Sequence, residues 1–222
     1  MKFLEDIKEW AVKYSIEEKI KDLYPLFDSF DKQFELFNAL KNDAIFVNNL
    51  LKQDSNNQYL RRIFIKTTFS VIEGYLNVLN QSVLDLHKYG KVQLTKQEIE
   101  QLEEIQERKD KKIPKFMPFN KKVRFSLETY ARKVGGFEYL IDTNTAEWKN
   151  FEASILIRHR LTHPHKTEDL IIGEQELGII LDASNWFLDV TTNLYKKVGE
   201  ESTRQSLERI KKARTNNAKR KS

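Results

Sequence analysis

Apolar side chains recur every three or four residues over most of the chain, which places them on one face of an α-helix. The longest run covers residues 58–89 and predicts one long helix that Gly90 ends. Its positions on that face are Leu60, Phe64, Thr67, Val71, Tyr75, Leu79, Val83 and Leu86. The same spacing predicts further helices over residues 3–14, 26–52, 95–110, 120–134, 145–163 and 174–198.

Turn-forming residues are scarce, since the 222 residues include 7 Gly and 4 Pro. A β-sandwich or barrel needs turn signals every ~8–12 residues, and a Rossmann or P-loop fold needs a glycine-rich loop. Neither pattern is present, so the predicted fold class is all-α. The expected units are a helical extension, a helical domain and a basic tail, at 1–55, 56–200 and 201–222. Interruptions are predicted at Pro25, at Asn42-Asp43, over residues 111–118 and near Gly199.

The formal net charge of +5 is unevenly distributed along the chain. Residues 108–124 contain eight basic side chains and one acid, and residues 204–222 contain the same numbers. Each segment therefore carries +7, which leaves −9 on the rest of the chain. An acidic body with two basic segments favours a phosphate-bearing partner at those segments.

Several function classes are excluded by composition. The absence of cysteine excludes disulfides, thiol nucleophiles and cysteine-ligated metals. The N-terminal residues include early acids and no long apolar run, so they do not resemble a signal peptide. No stretch of the chain approaches the ~18 apolar residues of a membrane span. With 14 Phe, 8 Tyr and 3 Trp the chain has ample material for a core. We therefore expect a soluble, cytoplasmic protein without a membrane partner.

The two basic segments are candidate RNA-binding elements. In the first, basic side chains bracket the aromatic ring of Phe116, a mixture that suits single-stranded RNA through charge and stacking. Its candidate residues are Lys111, Lys112, Lys115, Phe116, Lys121, Lys122 and Arg124. A solvated loop anchored by phenylalanines would give the same pattern, and both interpretations stand. The second contributes Lys211, Lys212 and Arg214, which suit nonspecific phosphate contacts.

Three of the four histidines lie within seven residues, as His159, His163 and His165, beside Arg158 and Arg160. A basic helix end would explain them through the helix dipole. Arginine also binds phosphate oxygens with a two-pronged fork, and histidine transfers protons near neutral pH. Together they provide the chemistry for cleaving RNA through its own 2′-hydroxyl. A metal site on His159 and His163 is disfavoured by the intervening Arg160, so no metal or cofactor is expected.

The segment Arg158-His159-Arg160-Leu161-Thr162-His163 fits R-x4-H, and Pro164 follows it. With a long helix on each side, it resembles the R-x4–6-H motif of the HEPN-domain ribonucleases, over about residues 58–198. The resemblance implies a HEPN-like helical bundle that forms a homodimer, in which two motifs meet in one cleft. It also implies RNA as substrate and a role as a toxin or phage-defence effector, with an antitoxin or defence-system partner.

By the same resemblance, Arg158 orients and stabilises the phosphate, and His163 is the general acid or base, with the His163 of a second copy as the candidate for the other role. His159 holds the geometry. A tyrosine that some members carry after the motif is replaced by His165, which argues against regulation by its nucleotidylation. A non-catalytic HEPN-like module that binds RNA or a protein partner is the alternative interpretation.

The motif raises a geometric problem. In an unbroken helix, residues five apart differ by about 140° around the axis, so Arg158 and His163 would point in different directions. Either the helix loosens before Pro164, or the cleft is assembled across a dimer. Glu73, in the otherwise apolar helix 58–89, either approaches this cleft or, as we favour, faces solvent or makes a structural hydrogen bond.

Overall fold

A computed structural model describes residues 3–13, 21, 24–108 and 111–219, and over these residues the chain is mostly helical, as predicted. The helices are α1 (Phe3–Lys13), α2 (Tyr24–Gln53), α3 (Gln58–Lys88), α4 (Lys96–Leu102), α5 (Phe119–Tyr130), α6 (Ala146–Thr162) and α7 (Glu174–Lys219). One antiparallel hairpin joins β1 (Ile105–Arg108) to β2 (Lys111–Pro114). A π-helical turn, Ala131–Gly135, extends α5, and a 3₁₀ turn, Thr167–Leu170, precedes α7. Among the described helices, none combines the length and apolar character needed to cross a bilayer.

Helix α3 is the central element and matches its predicted bounds. Asn57 caps it by accepting hydrogen bonds from the N–H groups of Tyr59 and Leu60, and Gly90 follows with a φ of 65°. The missing side chain of Gly74 brings α2 close, because an added Cβ would lie 2.6 Å from the Leu40 Cδ1 atom. Phe64, Tyr75, Leu79 and Val83 of the predicted apolar face of α3 are buried.

Two adjoining apolar clusters form the core. The first contains Ile72, Tyr75, Leu76, Leu79, Val83, Leu102, Val123, Leu127, Tyr130, Ala131, Ile141, Trp148, Phe151, Ala183, Phe187 and Leu194. The second contains Val47, Leu51, Phe64, Ile65, Phe69, Ile157, Leu161, Ile172 and Ile180. Because α3 and α6 contribute to both clusters, the end of α6 is held firmly against α3.

The helix predicted over residues 95–110 is wrong in its second half. Thr95 and Glu98 form the expected capping box, but α4 ends at Leu102. Glu104 then adopts a φ of 54°, a left-handed conformation that stops the helix. The chain continues into the β1–β2 hairpin, so the loop predicted over 111–118 is a strand in its first half.

Two predicted helix breaks, at Asn42-Asp43 and near Gly199, are also wrong. Helix α2 continues through Asn42-Asp43. Pro25 lies in the first turn of α2, where its missing N–H costs no hydrogen bond, and most of the segment it was predicted to interrupt lies outside the described residues. Helix α7 continues past Gly199 to Lys219, although an internal glycine costs about 1 kcal/mol relative to alanine. Beyond it, Arg204 forms ion pairs with Glu201 and Glu208, at helical spacings that offset part of this cost.

Candidate active site

The C-terminal end of α6 resolves the geometric problem of the motif. The helix ends at Thr162, and His163 leaves it with φ −130° and ψ 62°, outside the α region that a residue before proline avoids. Its N–H still donates to the carbonyl of His159, at 3.0 Å. His163 therefore stands off the helical path, and the angle that an unbroken helix would set between it and Arg158 does not apply.

Arg158, His159 and His163 of a single chain line one open cleft of about 660 Å³, which we call the α6 cleft. The centroids of the two imidazole rings lie 5.0 Å apart, and both histidines are exposed. The remaining walls come from α3, the β1–β2 region, the start of α5 and the outer face of α6. Their lining residues are Glu73, Glu104, Phe116, Met117, Pro118, Phe119, Asn120, Lys122, Glu152, Ile155 and Leu156.

Arg158 is held by contacts on three sides. Its guanidinium carbon lies 5.4 Å from the ring centroid of Phe69 and 5.5 Å from that of Phe119. Both distances are in the range of cation–π attraction. One terminal nitrogen, Nη2, donates to a carboxylate oxygen of Glu73. These contacts restrict the orientation of the guanidinium while leaving about a third of the side chain exposed in the cleft.

Glu73 therefore lines the cleft, and it also makes the structural hydrogen bond that the sequence analysis favoured. It is joined to Arg158 across 85 residues of sequence. Phe69, one helical turn earlier on α3, was not identified from the sequence as part of the site. Its only signal was its place in the helical pattern, because nothing in the motif indicates which ring lies under the arginine.

Each of the three carboxylates in the cleft has a partner. Glu73 pairs with Arg158, Glu104 pairs with Lys122, and Glu152 accepts a hydrogen bond from the Asn120 side chain at 2.8 Å. Besides its two histidines, the cleft therefore contains three acids and two permanent cations, Arg158 and Lys122.

The turn after the motif is organised by Asp169. Its carboxylate accepts hydrogen bonds from the N–H groups of His165 and Lys166, at 2.8 and 3.2 Å. The bond from His165, followed by that from Lys166, lowers the pKa of Asp169 below its ordinary value. These bonds fix the direction in which the chain leaves His163 and Pro164.

The other two basic residues in and beside the motif, Arg160 and His165, do not line the α6 cleft. Arg160 donates to the carboxylate of Glu176 at 3.0 Å and to the carbonyl of Ile171, which ties α6 to the start of α7. His165 is exposed and does not line the α6 cleft. Only part of the basic cluster therefore belongs to the site.

The first basic segment is partly neutralised by nearby acids. Lys115 pairs with Glu100, Lys122 with Glu104 and Arg124 with Glu128. Lys111 and Lys121 are exposed, and within the described residues no ion pair engages them. The side chains of Lys112, Lys211, Lys212 and Arg214 lie outside what the structure describes, although their backbones belong to β2 and α7. Phe116 projects from the rim of the α6 cleft.

His159 and His163 are the two cleft side chains whose imidazoles could ligate a metal ion. Over residues 3–13, 21, 24–108 and 111–219, no three side chains among His, Asp and Glu gather as a metal site would require. His159 and His163 thus form a pair without a third ligand of this kind.

No family model, curated protein or solved structure matches this chain.

Proposed function

We propose that the chain is an endoribonuclease of the HEPN type that cleaves RNA by attack of its own 2′-hydroxyl. The observation that carries the proposal is the convergence of Arg158, His159 and His163 of one chain on the α6 cleft. A fixed guanidinium beside two exposed imidazoles supplies phosphate binding and proton transfer in the same place.

The reaction requires two proton transfers. A base removes the proton of the 2′-hydroxyl, whose oxygen then bonds to the adjacent phosphorus. The bond from phosphorus to the 5′-oxygen breaks, and an acid protonates the leaving oxygen, which leaves a 2′,3′-cyclic phosphate. Because the nucleophile belongs to the substrate, no metal is required to generate it.

His163 has one of these proton-transfer roles in our proposal. Within one chain the group placed to supply the other is His159, because its ring centroid is 5.0 Å from that of His163. Arg158 stabilises the charge that develops on the phosphate oxygens, and Glu73 positions Arg158. A homodimer remains part of the proposal, to be tested by sedimentation velocity, but Arg158 and His163 need no second copy to share a cleft.

Cleavage of a long unstructured RNA by the full chain, in excess EDTA, tests the proposal. Wild type should release fragments, and His163→Ala should lower the rate by at least a hundredfold because a proton-transfer group is lost. Arg158→Lys should also slow cleavage, because lysine keeps the charge but lacks the guanidinium fork.

His165→Ala is the matched control, since it removes an exposed histidine two residues away from His163 but outside the α6 cleft. Its activity should equal that of wild type. Equal rates for wild type and His163→Ala would contradict the proposal. RNA binding without cleavage by wild type would instead support the non-catalytic alternative.

A further inference from the structure

Phe116 is unusually exposed for a phenylalanine. The solvent-accessible fraction of this residue is 90%, compared with 65% for the exposed Phe46 on α2. Water solvates an apolar ring poorly, so a ring left in this position contributes nothing to the core. Its place at the rim of the α6 cleft suggests a ligand that covers the ring.

The loop that carries Phe116 is fixed at both ends. The N–H of Lys115 donates to the carbonyl of Glu104 at 2.7 Å, and the Lys115 ammonium contacts the carboxylate of Glu100. On the other side, Pro118 leads into α5 and Phe119 packs against the rings of Phe69 and Phe151. The short segment between these anchors holds Phe116 outward and leaves it little chain with which to fold back.

The surroundings of Phe116 suit a nucleic-acid strand. The α6 cleft beside it contains Arg158 and the two histidines, and Lys121, five residues further along the chain on α5, is exposed. An apolar ring beside groups that bind phosphate matches the alternation of bases and phosphates along a strand. The guanidinium of Arg158 and the two imidazoles can contact phosphate oxygens, which favours RNA over an apolar protein segment as the ligand of this rim.

We propose that Phe116 stacks on an unpaired nucleobase next to the phosphate held by Arg158, so that the α6 cleft selects single-stranded RNA. The inference rests on the proposed function. Bases within a duplex already stack on both faces and offer no free face to the ring. Phenylalanine has no hydrogen-bonding group, so it selects an unpaired base without choosing its identity.

Cleavage kinetics on two forms of one RNA test this inference. The RNA is presented as a single strand and annealed to its complement, and KM and kcat are measured for wild type, Phe116→Ala, Phe116→Tyr and Phe46→Ala. Phe116→Ala should raise KM for the single strand about five- to a hundredfold, the effect of losing one base–aromatic stack, with kcat little changed.

The two other variants separate stacking from general loss of apolar surface. Phe116→Tyr keeps an aromatic face and should retain wild-type KM. Phe46→Ala removes an exposed ring outside the α6 cleft and should leave both constants unchanged. An unchanged KM in Phe116→Ala would overturn the inference while leaving the nuclease proposal intact. Loss of self-association in Phe116→Ala, with RNA affinity unchanged, would overturn it in favour of a second copy as the ligand.

A binding measurement distinguishes this failure from failure of the proposed function. A single-stranded RNA containing 2-aminopurine is titrated with wild type and with Phe116→Ala, because stacking on an aromatic ring quenches this base. If wild type cleaves neither RNA, the nuclease proposal fails. Quenching that depends on Phe116 would still support base stacking, and equal signals from the two proteins would overturn it.

Discussion

The guanidinium of Arg158 donates a hydrogen bond to the carboxylate of Glu73, which joins the end of α6 to the middle of α3 across 85 residues of sequence. Arg158 also lies over the rings of Phe69 and Phe119, so its position depends on two other helices. The arginine of the motif is thus placed by groups that lie far from the motif in sequence.

Glu73→Ala should lower kcat for RNA cleavage about ten- to a hundredfold, because Arg158 would lose the partner that directs it and small misplacements are costly in catalysis. Glu73→Gln keeps a hydrogen-bond acceptor and should recover part of kcat. KM should change less than kcat in both variants, and thermal unfolding should show that they are folded. If Glu73→Ala and Glu73→Gln are equally impaired, the hydrogen bond does not position Arg158.

Asp169→Asn should reduce kcat modestly, because the turn after His163 loses a charged acceptor for the N–H groups of His165 and Lys166. The lowered pKa of Asp169 means that its carboxylate stabilises this turn above the ordinary carboxyl pKa. That contribution is lost only as the pH falls through the lowered value. Hydrogen exchange of the His165 amide should be faster in Asp169→Asn at pH 7, and identical exchange in the two proteins would contradict this role.

Glu98 ties α4 to the π-helical turn, and Glu98→Gln should lower the free energy of unfolding by about 1–2 kcal/mol at pH 7. Partial burial raises the pKa of Glu98, but the N–H of Thr95 and the ammonium of Lys133 outweigh burial and lower the pKa from 4.5. The stabilisation is therefore present above pH 4.5 and lost as the pH falls. Urea unfolding at pH 7 and pH 3 should show that the difference from wild type shrinks. A difference independent of pH would exclude a charge effect.

Mixing two inactive variants tests whether each chain holds its own site. Because Arg158 and His163 of one chain line one cleft, a mixture of Arg158→Ala and His163→Ala should remain as inactive as either variant alone. The variants are co-expressed with different tags, and the mixed species is purified through both. Recovery of a substantial fraction of wild-type activity would show that the two residues act from different chains.

The sequence predicted α3 and α6 to within about a residue, because each combines a sustained helical period with an asparagine or threonine cap. It missed the β1–β2 hairpin, whose strands IQER and KKIP lack the alternation of a half-buried strand. The left-handed turn at Glu104 is rare for a residue other than glycine, so no local signal marks it. Gly199 was interpreted as a helix end because glycine is common there, but the residues around it favour continuation of α7.

The residues of the candidate site were also predicted only in part from the sequence. Arg158, His159 and His163 stand in one short motif that is visible in the sequence, whereas their convergence depends on how α6 ends at His163. Phe69 was identified only from its tertiary contacts, and the partner of Glu73 was not predicted, since α3 and α6 are far apart in sequence. Local patterns thus predict the chemistry of the candidate site, and packing decides which groups orient it.

The most direct measurement compares an RNA with the same sequence methylated at every 2′-oxygen, each incubated with the full chain in excess EDTA. Methylation removes the proposed nucleophile and leaves the phosphates unchanged. The proposed mechanism predicts cleavage of the unmodified RNA alone, with 2′,3′-cyclic phosphate ends that disappear in His163→Ala. Cleavage of both RNAs, or of neither, would contradict it.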